Sequence, residues 1–199
     1  MSPATAVNVD KLFAPRAARP EIVDVPEFDF LMVDGSGDPN TTQEFQHAIQ
    51  ALFSLSYGIH FALKKKGVDS RVRPLEALWW IEGGDFLNAK PSQWRWTAMM
   101  MQPEELTRAL FEEVRSDTVK RKPSPSLAKV RLAKFTEGLS AQVMHIGPYS
   151  AEKPTIDRLR AFIVEQGHKP RGKHHEIYLG DPRRAAPEKL KTAIRQPIV

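Results

Sequence analysis

Cysteine is absent from the 199-residue chain, which excludes disulfides, thiolate catalysis, cysteine-bound zinc and thiol redox switching. Long apolar runs are absent too. No stretch approaches the ~18–20 consecutive apolar residues of a membrane span. The opening segment MSPATAVNVDKLFAPRAARPEI has no apolar signal core, so a cytoplasmic protein without a membrane partner is the expectation. Dense charge of one sign is also missing. The net +5 is spread over short runs such as Lys64-Lys65-Lys66, Arg121-Lys122 and Arg171-Gly172-Lys173. Each sits at an expected element end or loop, and three lysines closing a helix suit its dipole. No helix-turn-helix, zinc finger or aromatic-basic signature accompanies the charge, so direct nucleic-acid binding is not expected.

Several chemical motifs are lacking as well. Gly35-Ser36-Gly37 has neither the third glycine nor the lysine of a phosphate loop. No Gly-x-Ser-x-Gly nucleophile turn is present. His174-His175-Glu176 looks metal-like, but strand neighbours diverge, which leaves at most His174 and Glu176 on one side. The sequence implies no metal and no cofactor.

What is present is a composition of 41% hydrophobic and 27% charged residues, that of a single globular domain or two small fused halves with enough length to bury a core. Residues 1–20 are Ala/Pro-rich and read as an extended lead-in. From Glu21, alternating Phe28, Phe30 and Met32 predict a strand interrupted by Pro26. After the turn at Gly35–Asn40, Thr41 and Glu44 have capping-box spacing. Phe45, Ile49, Leu52, Ser56, Ile59 and Leu63 then share one helical face until Gly67. LEALWWIEG and Trp94–Met101 read as strands, and Pro103 as the start of a further helix. KRKPSPS is a polar linker and the best boundary between halves. Beyond it come a strand broken by a turn at Glu137-Gly138, a helix carrying Ile156, Leu159, Phe162 and Ile163, and strands over His174–Leu179 and Lys191–Gln196.

Each half thus reads strand, glycine turn, helix, strand, strand, with Gly37 and Gly147 in matching places. A carboxylate followed by aromatics also recurs, at Glu76 with Trp79-Trp80 and at Glu176 with Tyr178. The pattern suggests an internal duplication of βαββ units, an arrangement that tends to place a ligand cleft where halves meet.

Glu176 is the most informative carboxylate. Strand alternation puts His174, Glu176 and Tyr178 on one face, and His175, Ile177 and Leu179 on the other. It is either a partly buried base facing a cleft or an edge residue that faces solvent or is bonded to Arg183 or Arg195. All four tryptophans fall in Trp79-Trp80 and Trp94-x-Trp96, on two strands that can pair. They make either a wall for a planar ligand or core packing, with indoles on both faces or a cluster plus one outlier. Tyr57, in register with Phe53 and Phe61, is a hydroxyl donor for a ligand carbonyl or an ordinary boundary residue. His145 and Tyr149 flank Gly147-Pro148; they line the cleft, or His145 is a bonded structural residue.

These segments together resemble the GyrI-like small-molecule-binding family, the effector-domain fold of multidrug-sensing regulators, from about Lys11 to Val199. The resemblance is closest to its stand-alone branch, through LFAP, VDGSGDPN, PLEALWW, WRWTAMMMQPEE, HIGPYSAE, HHEIYLGDPRR and KTAIRQPI in matching order. It implies an α+β fold of duplicated βαββ (SHS2-type) modules, with an antiparallel sheet, two main helices and a ligand cleft at the pseudo-twofold. One domain would then span 21–199, with repeats at about 21–122 and 127–199.

Members of that branch hydrolyse cyclopropanoid DNA-alkylating natural products. The resemblance therefore implies a detoxifying hydrolase for a small planar, hydrophobic or electrophilic ligand. Glu176 and Tyr57 would be catalytic, the first orienting or deprotonating water and the second hydrogen-bonding in the pocket. Trp79, Trp80, Trp96 and Tyr149 would stack on the ligand, with His145 and Tyr178 beside them. The alternative is a non-catalytic drug-sequestering module of the same fold. With no helix-turn-helix before Lys11, a transcription factor is not expected. A gyrase-inhibitor-like role is disfavoured because a surface that competes with DNA should be acidic, not +5.

Overall fold

The computed structural model describes residues 8–199 and shows an α+β chain whose described strand pairings are all antiparallel. The elements in order are α1 (Val9–Leu12), β1 (Glu21–Ser36), α2 (Gln43–Lys65), β2 (Leu75–Trp80), β3 (Arg95–Met101), α3 (Arg108–Arg121), α4 (Pro125–Lys129), β4 (Arg131–Ile146), α5 (Lys153–Glu165), β5 (His174–Tyr178) and β6 (Lys191–Pro197). Among the described residues no helix is long and apolar enough to cross a membrane.

The chain divides into two compact units: a central unit, Phe28–Phe135, and a split unit of the residues up to Glu27 together with Thr136–Val199. The divisions fall inside the two 16-residue strands β1 and β4, not in the KRKPSPS segment, part of which folds as α4.

In the central unit β3 lies between β1 and β2, with Leu31 opposite Met100 and Trp79 opposite Trp96. Helix α2 buries Phe45, Leu52, Ser56, Ile59 and Leu63 of the face its sequence spacing predicts, with Ala48, Ala51 and Leu55 beside them, while Ile49 is only half-buried. Its mid-helix Gly58 has a packing reason. A Cβ there would lie 2.7 Å from Cγ1 of Val114 on α3, so the missing side chain lets the two helices meet, at the usual conformational cost of glycine.

In the split unit β6 lies between β4 and β5, with Val143 opposite Ile194 and Glu176 opposite Ile194 on its other edge. Helix α5 buries Ile156, Leu159 and Ile163, while Phe162 is only half-buried. Each unit therefore contains the order strand, helix, strand, strand, with the last strand in the middle of its three.

Local details depart from the sequence expectations for physical reasons. Part of the extended lead-in is helical: α1 is capped by Asn8, whose side chain accepts from the Asp10 and Lys11 amides. β1 continues through Pro26. The Thr41–Glu44 capping box does not form, because the helix is entered at Thr42, the Thr41 hydroxyl turns back to Asp38 O at 3.4 Å and Glu44 is taken by Lys129 Nζ at 2.8 Å. Helix α3 starts at Arg108, where Thr107 accepts from the Leu110 amide, and Pro103 begins only a turn. β4 runs unbroken through Glu137-Gly138, with Gly138 absorbing a positive φ of 70°.

Candidate functional site

Strand β5 is five residues long, and charged side chains occupy its middle, where apolar ones are usual. Alternation operates as the sequence predicts. On one face Glu176 is 9% exposed, with His174 Nε2 at 3.1 Å from Oε1 and the Tyr178 hydroxyl donating to Oε2 at 2.7 Å. An ionised carboxylate only accepts, so His174 Nε2 must carry the proton in that contact. The third partner is the carboxyl of Glu152, which hydrogen-bonds Glu176.

These contacts set the two carboxyls apart. Burial pushes Glu176 up, but the hydrogen bond and charge of His174 and the hydrogen bonds of Tyr178 and Glu152 outweigh it and hold the group below its ordinary value. Glu152 moves the other way. Burial and the neighbouring Glu176 charge push it up to about 9. At neutral pH one carboxylate and one carboxylic acid therefore lie side by side, the arrangement two adjacent carboxyls adopt when they cannot both ionise.

Tyr149 closes the cluster. Its ring stands 5.5 Å from that of Tyr178 at 74°, it is 39% exposed, and burial with the charges of Glu152, Glu176 and Asp181 raises its phenol. It is a neutral hydrogen-bond donor at the surface of the site. His145 serves the turn below: Nδ1 meets Thr155 Oγ1 at 3.0 Å and Nε2 donates to Pro148 O at 3.2 Å. Both ring nitrogens are thereby engaged in holding the entry to α5.

The opposite face of β5 carries a second buried network. His175 Nδ1 lies 2.9 Å from Glu137 Oε1, and Arg195 reaches Glu137 Oε2 at 3.0 Å, Gln142 Oε1 at 3.0 Å and Leu12 O at 2.7 Å. Burial raises Glu137, yet His175 and Arg195 together lower it to about 2. Arg195 is thus committed to Glu137, and Arg183 to Asp181 at 2.9 Å, so neither arginine pairs with Glu176.

The other expected site residues lie in the central unit. Trp79 and Trp96 face each other across β2 and β3 and pack on Phe45 at 5.3 and 4.9 Å between ring centroids. Trp94 joins them at 5.6 Å from Trp79. Three indoles therefore gather on one side, and Trp80 is the outlier. Trp96 is fully buried and Trp79 nearly so, which makes these two rings part of the packed core beneath α2. Tyr57 is different. It is 50% exposed and stacks between Phe53 and Phe61, each ring 6.4 Å away. Among the described residues no group of three or more His, Asp or Glu side chains is arranged to hold a metal ion.

Glu176, Tyr178, Tyr149 and His145 are thus brought together in the split unit. Sequence reasoning missed Glu152 there. Its signal was the acid in HIGPYSAE just before a helix, which by itself reads as an exposed dipole partner.

The model of the GyrI-like small molecule binding domain matches residues 18–199. Among curated proteins there is no match. Solved structures are similar over almost the whole chain. An uncharacterized conserved protein from Listeria innocua is 39% identical with a TM-score of 0.88, the match covering 96% of each chain. A hydrolase from the same organism is 36% identical, TM-score 0.83, covering 96% of this chain and 97% of that one. Another Listeria innocua hydrolase is 38% identical, TM-score 0.84, covering 96% of each.

Proposed function

Since the chain belongs to the family of the GyrI-like small molecule binding domain, we propose that it binds a planar electrophile beside Glu176 and hydrolyses it. The proposed substrates are cyclopropanoid DNA-alkylating compounds, in which a strained three-membered ring is conjugated to a dienone. The observation that carries the reading is Glu176 itself: a buried carboxylate whose partners are His174, Tyr178 and Glu152, none of them an arginine or lysine. These partners fix its orientation and keep it ionised despite its burial, the form that can accept a proton from water. The descriptions of two Listeria relatives as hydrolases support the same reaction class.

In this reading Glu176 orients a water and accepts its proton as the oxygen attacks the ring CH2. The ring carbon–carbon bond breaks, its electron pair passes through the dienone to the carbonyl oxygen, and an alcohol with a phenolate results. Ring strain and aromatisation supply the driving force, so the protein has only to position water and receive charge. Tyr149 and Tyr178 offer aromatic contact in the split unit. Trp79 and Trp96, buried on Phe45, pack the core of the central unit.

The test is a spirocyclopropane dienone incubated with a tenfold deficit of protein, the alcohol being counted by mass spectrometry. Many product molecules per chain support hydrolysis. Protection that stops at one equivalent favours the sequestering alternative.

A further inference from the structure

Tyr149 opens the short turn Tyr149–Ala151 that leads into α5. The turn is pinned at three points. The Ala151 amide donates to Pro148 O at 2.9 Å, the Glu152 amide to Tyr149 O at 3.2 Å, and His145 Nε2 to Pro148 O at 3.2 Å. The Tyr149 ring also stands edge-on to that of Tyr178, a contact that holds the side chain in place. The other polar groups of the cluster already have partners inside it. Tyr178 and His174 bond Glu176, Glu152 bonds Glu176 and Thr192, and both His145 nitrogens are engaged by Thr155 and Pro148. Tyr149 differs on both counts that matter to a ligand. It is the most exposed of the group, and its hydroxyl donates to no other described residue.

Resting on the hydrolytic reading above, we propose that Tyr149 is a second catalytic residue: its hydroxyl donates to the substrate's carbonyl oxygen and holds the negative charge that arrives there as the ring opens. A fixed donor aimed at an oxygen where charge develops is among the strongest contributions a site can make. The step balances with Tyr149 unchanged. The water oxygen bonds the ring CH2, Glu176 takes the water proton, and the ring carbon–carbon bond breaks. Its electron pair reaches the carbonyl oxygen, which becomes a phenolate held by the Tyr149 hydrogen bond. On release Glu176 gives its proton to solvent and the phenolate takes one back, so one water is added in all.

The spacing of the two groups suits this division. In a spirocyclopropane dienone the carbon under attack and the carbonyl oxygen lie at opposite ends of a six-membered ring, so base and donor must stand apart. Tyr178 separates them here: its hydroxyl ends on Glu176 and its ring packs against Tyr149. Burial and the neighbouring carboxyls keep the Tyr149 phenol protonated, which makes it a donor and not an acceptor. The assignment also narrows the substrate class. A strained ring is opened only where it is conjugated to a carbonyl that can reach Tyr149.

The experiment compares wild type with Tyr149→Phe, which keeps the ring on Tyr178 and removes only the hydroxyl. Turnover of the spirocyclopropane dienone gives kcat, and binding is read by tryptophan quenching. A dienone with a gem-dimethyl group in place of the cyclopropane cannot react, and the infrared band of its carbonyl reports the hydrogen bond directly. The expected result is a kcat lower by about 10²-fold with binding retained, and a carbonyl band that wild type shifts to lower frequency and the variant does not. A Tyr149→Phe protein with wild-type kcat overturns the assignment while leaving hydrolysis intact. So does a kcat that falls while the carbonyl band stays as in wild type, since the hydroxyl then acts elsewhere. A wild type that makes no alcohol overturns hydrolysis itself, and the catalytic role of Tyr149 with it.

Discussion

Tyr178 and Glu176, two residues apart on β5, are joined by a 2.7 Å hydrogen bond from the phenol to Oε2. Because alternate strand residues share a face, this bond is built into five residues of sequence and needs no loop to hold it. Together with His174 it keeps Glu176 ionised in a place where burial alone would neutralise it.

Tyr178→Phe removes one donor and shifts Glu176 upward. The acid limb of kcat/KM should move to higher pH, and the rate on that limb should fall by roughly tenfold, the equivalent of the ~1.5 kcal/mol of one hydrogen bond to a charge. An acid limb that stays in place would show that Glu176 does not set it.

Glu137 governs stability on the other face of β5. Its folded value of about 2 is depressed from 4.5. The stabilisation is therefore complete above the unfolded value and is lost as pH falls toward 2. The shift corresponds to about 3 kcal/mol. Urea titrations should show the midpoint dropping between pH 5 and 2. Glu137→Gln should remove most of that slope and, by leaving Arg195 without its buried countercharge, cost about 3–5 kcal/mol at pH 7.

Glu152 has the opposite sign. Its folded value, raised to about 9, means that the unfolded chain releases a proton the folded chain keeps, so stability falls as pH rises from 4.5 to 9. Glu152→Gln should raise stability at pH 8 by on the order of 1–3 kcal/mol. Thermal melts across that range measure the slope; a wild-type stability that is flat from pH 5 to 9 would contradict a protonated Glu152.

Gly35 permits the burial of Trp96. A Cβ at that position would lie 2.2 Å from Cη2 and Cζ2 of the indole. Gly35→Ala should destabilise the protein by about 1–3 kcal/mol through overpacking, visible as a lowered unfolding midpoint. An unchanged midpoint would mean that the ring moves aside freely.

Much of the fold was legible because its signals are local. The α2 face from Phe45 to Leu63, the two indole-bearing strands and the alternation of His174, Glu176 and Tyr178 all depend on period and register alone. The pairing of Glu137 with His175 and Arg195 was not. These residues lie 38 and 58 positions apart, and Gly138 beside Glu137 suggested a turn where the strand instead continues. Glu152 was hidden for a different reason. Only the inward path of the turn at Pro148–Ala151, which His145 holds, separates it from an ordinary first-turn acid. The tryptophans were visible as a cluster, but their depth beneath Phe45 depends on the packing of α2, which no strand pattern encodes.

The most direct measurement is the steady-state hydrolysis of a spirocyclopropane dienone by Glu176→Gln beside wild type, with binding of the same compound followed by tryptophan fluorescence. Proton removal by Glu176 predicts a kcat reduced by about 10²–10⁴-fold with binding preserved. A Glu176→Gln protein that binds and turns over at the wild-type rate would contradict it.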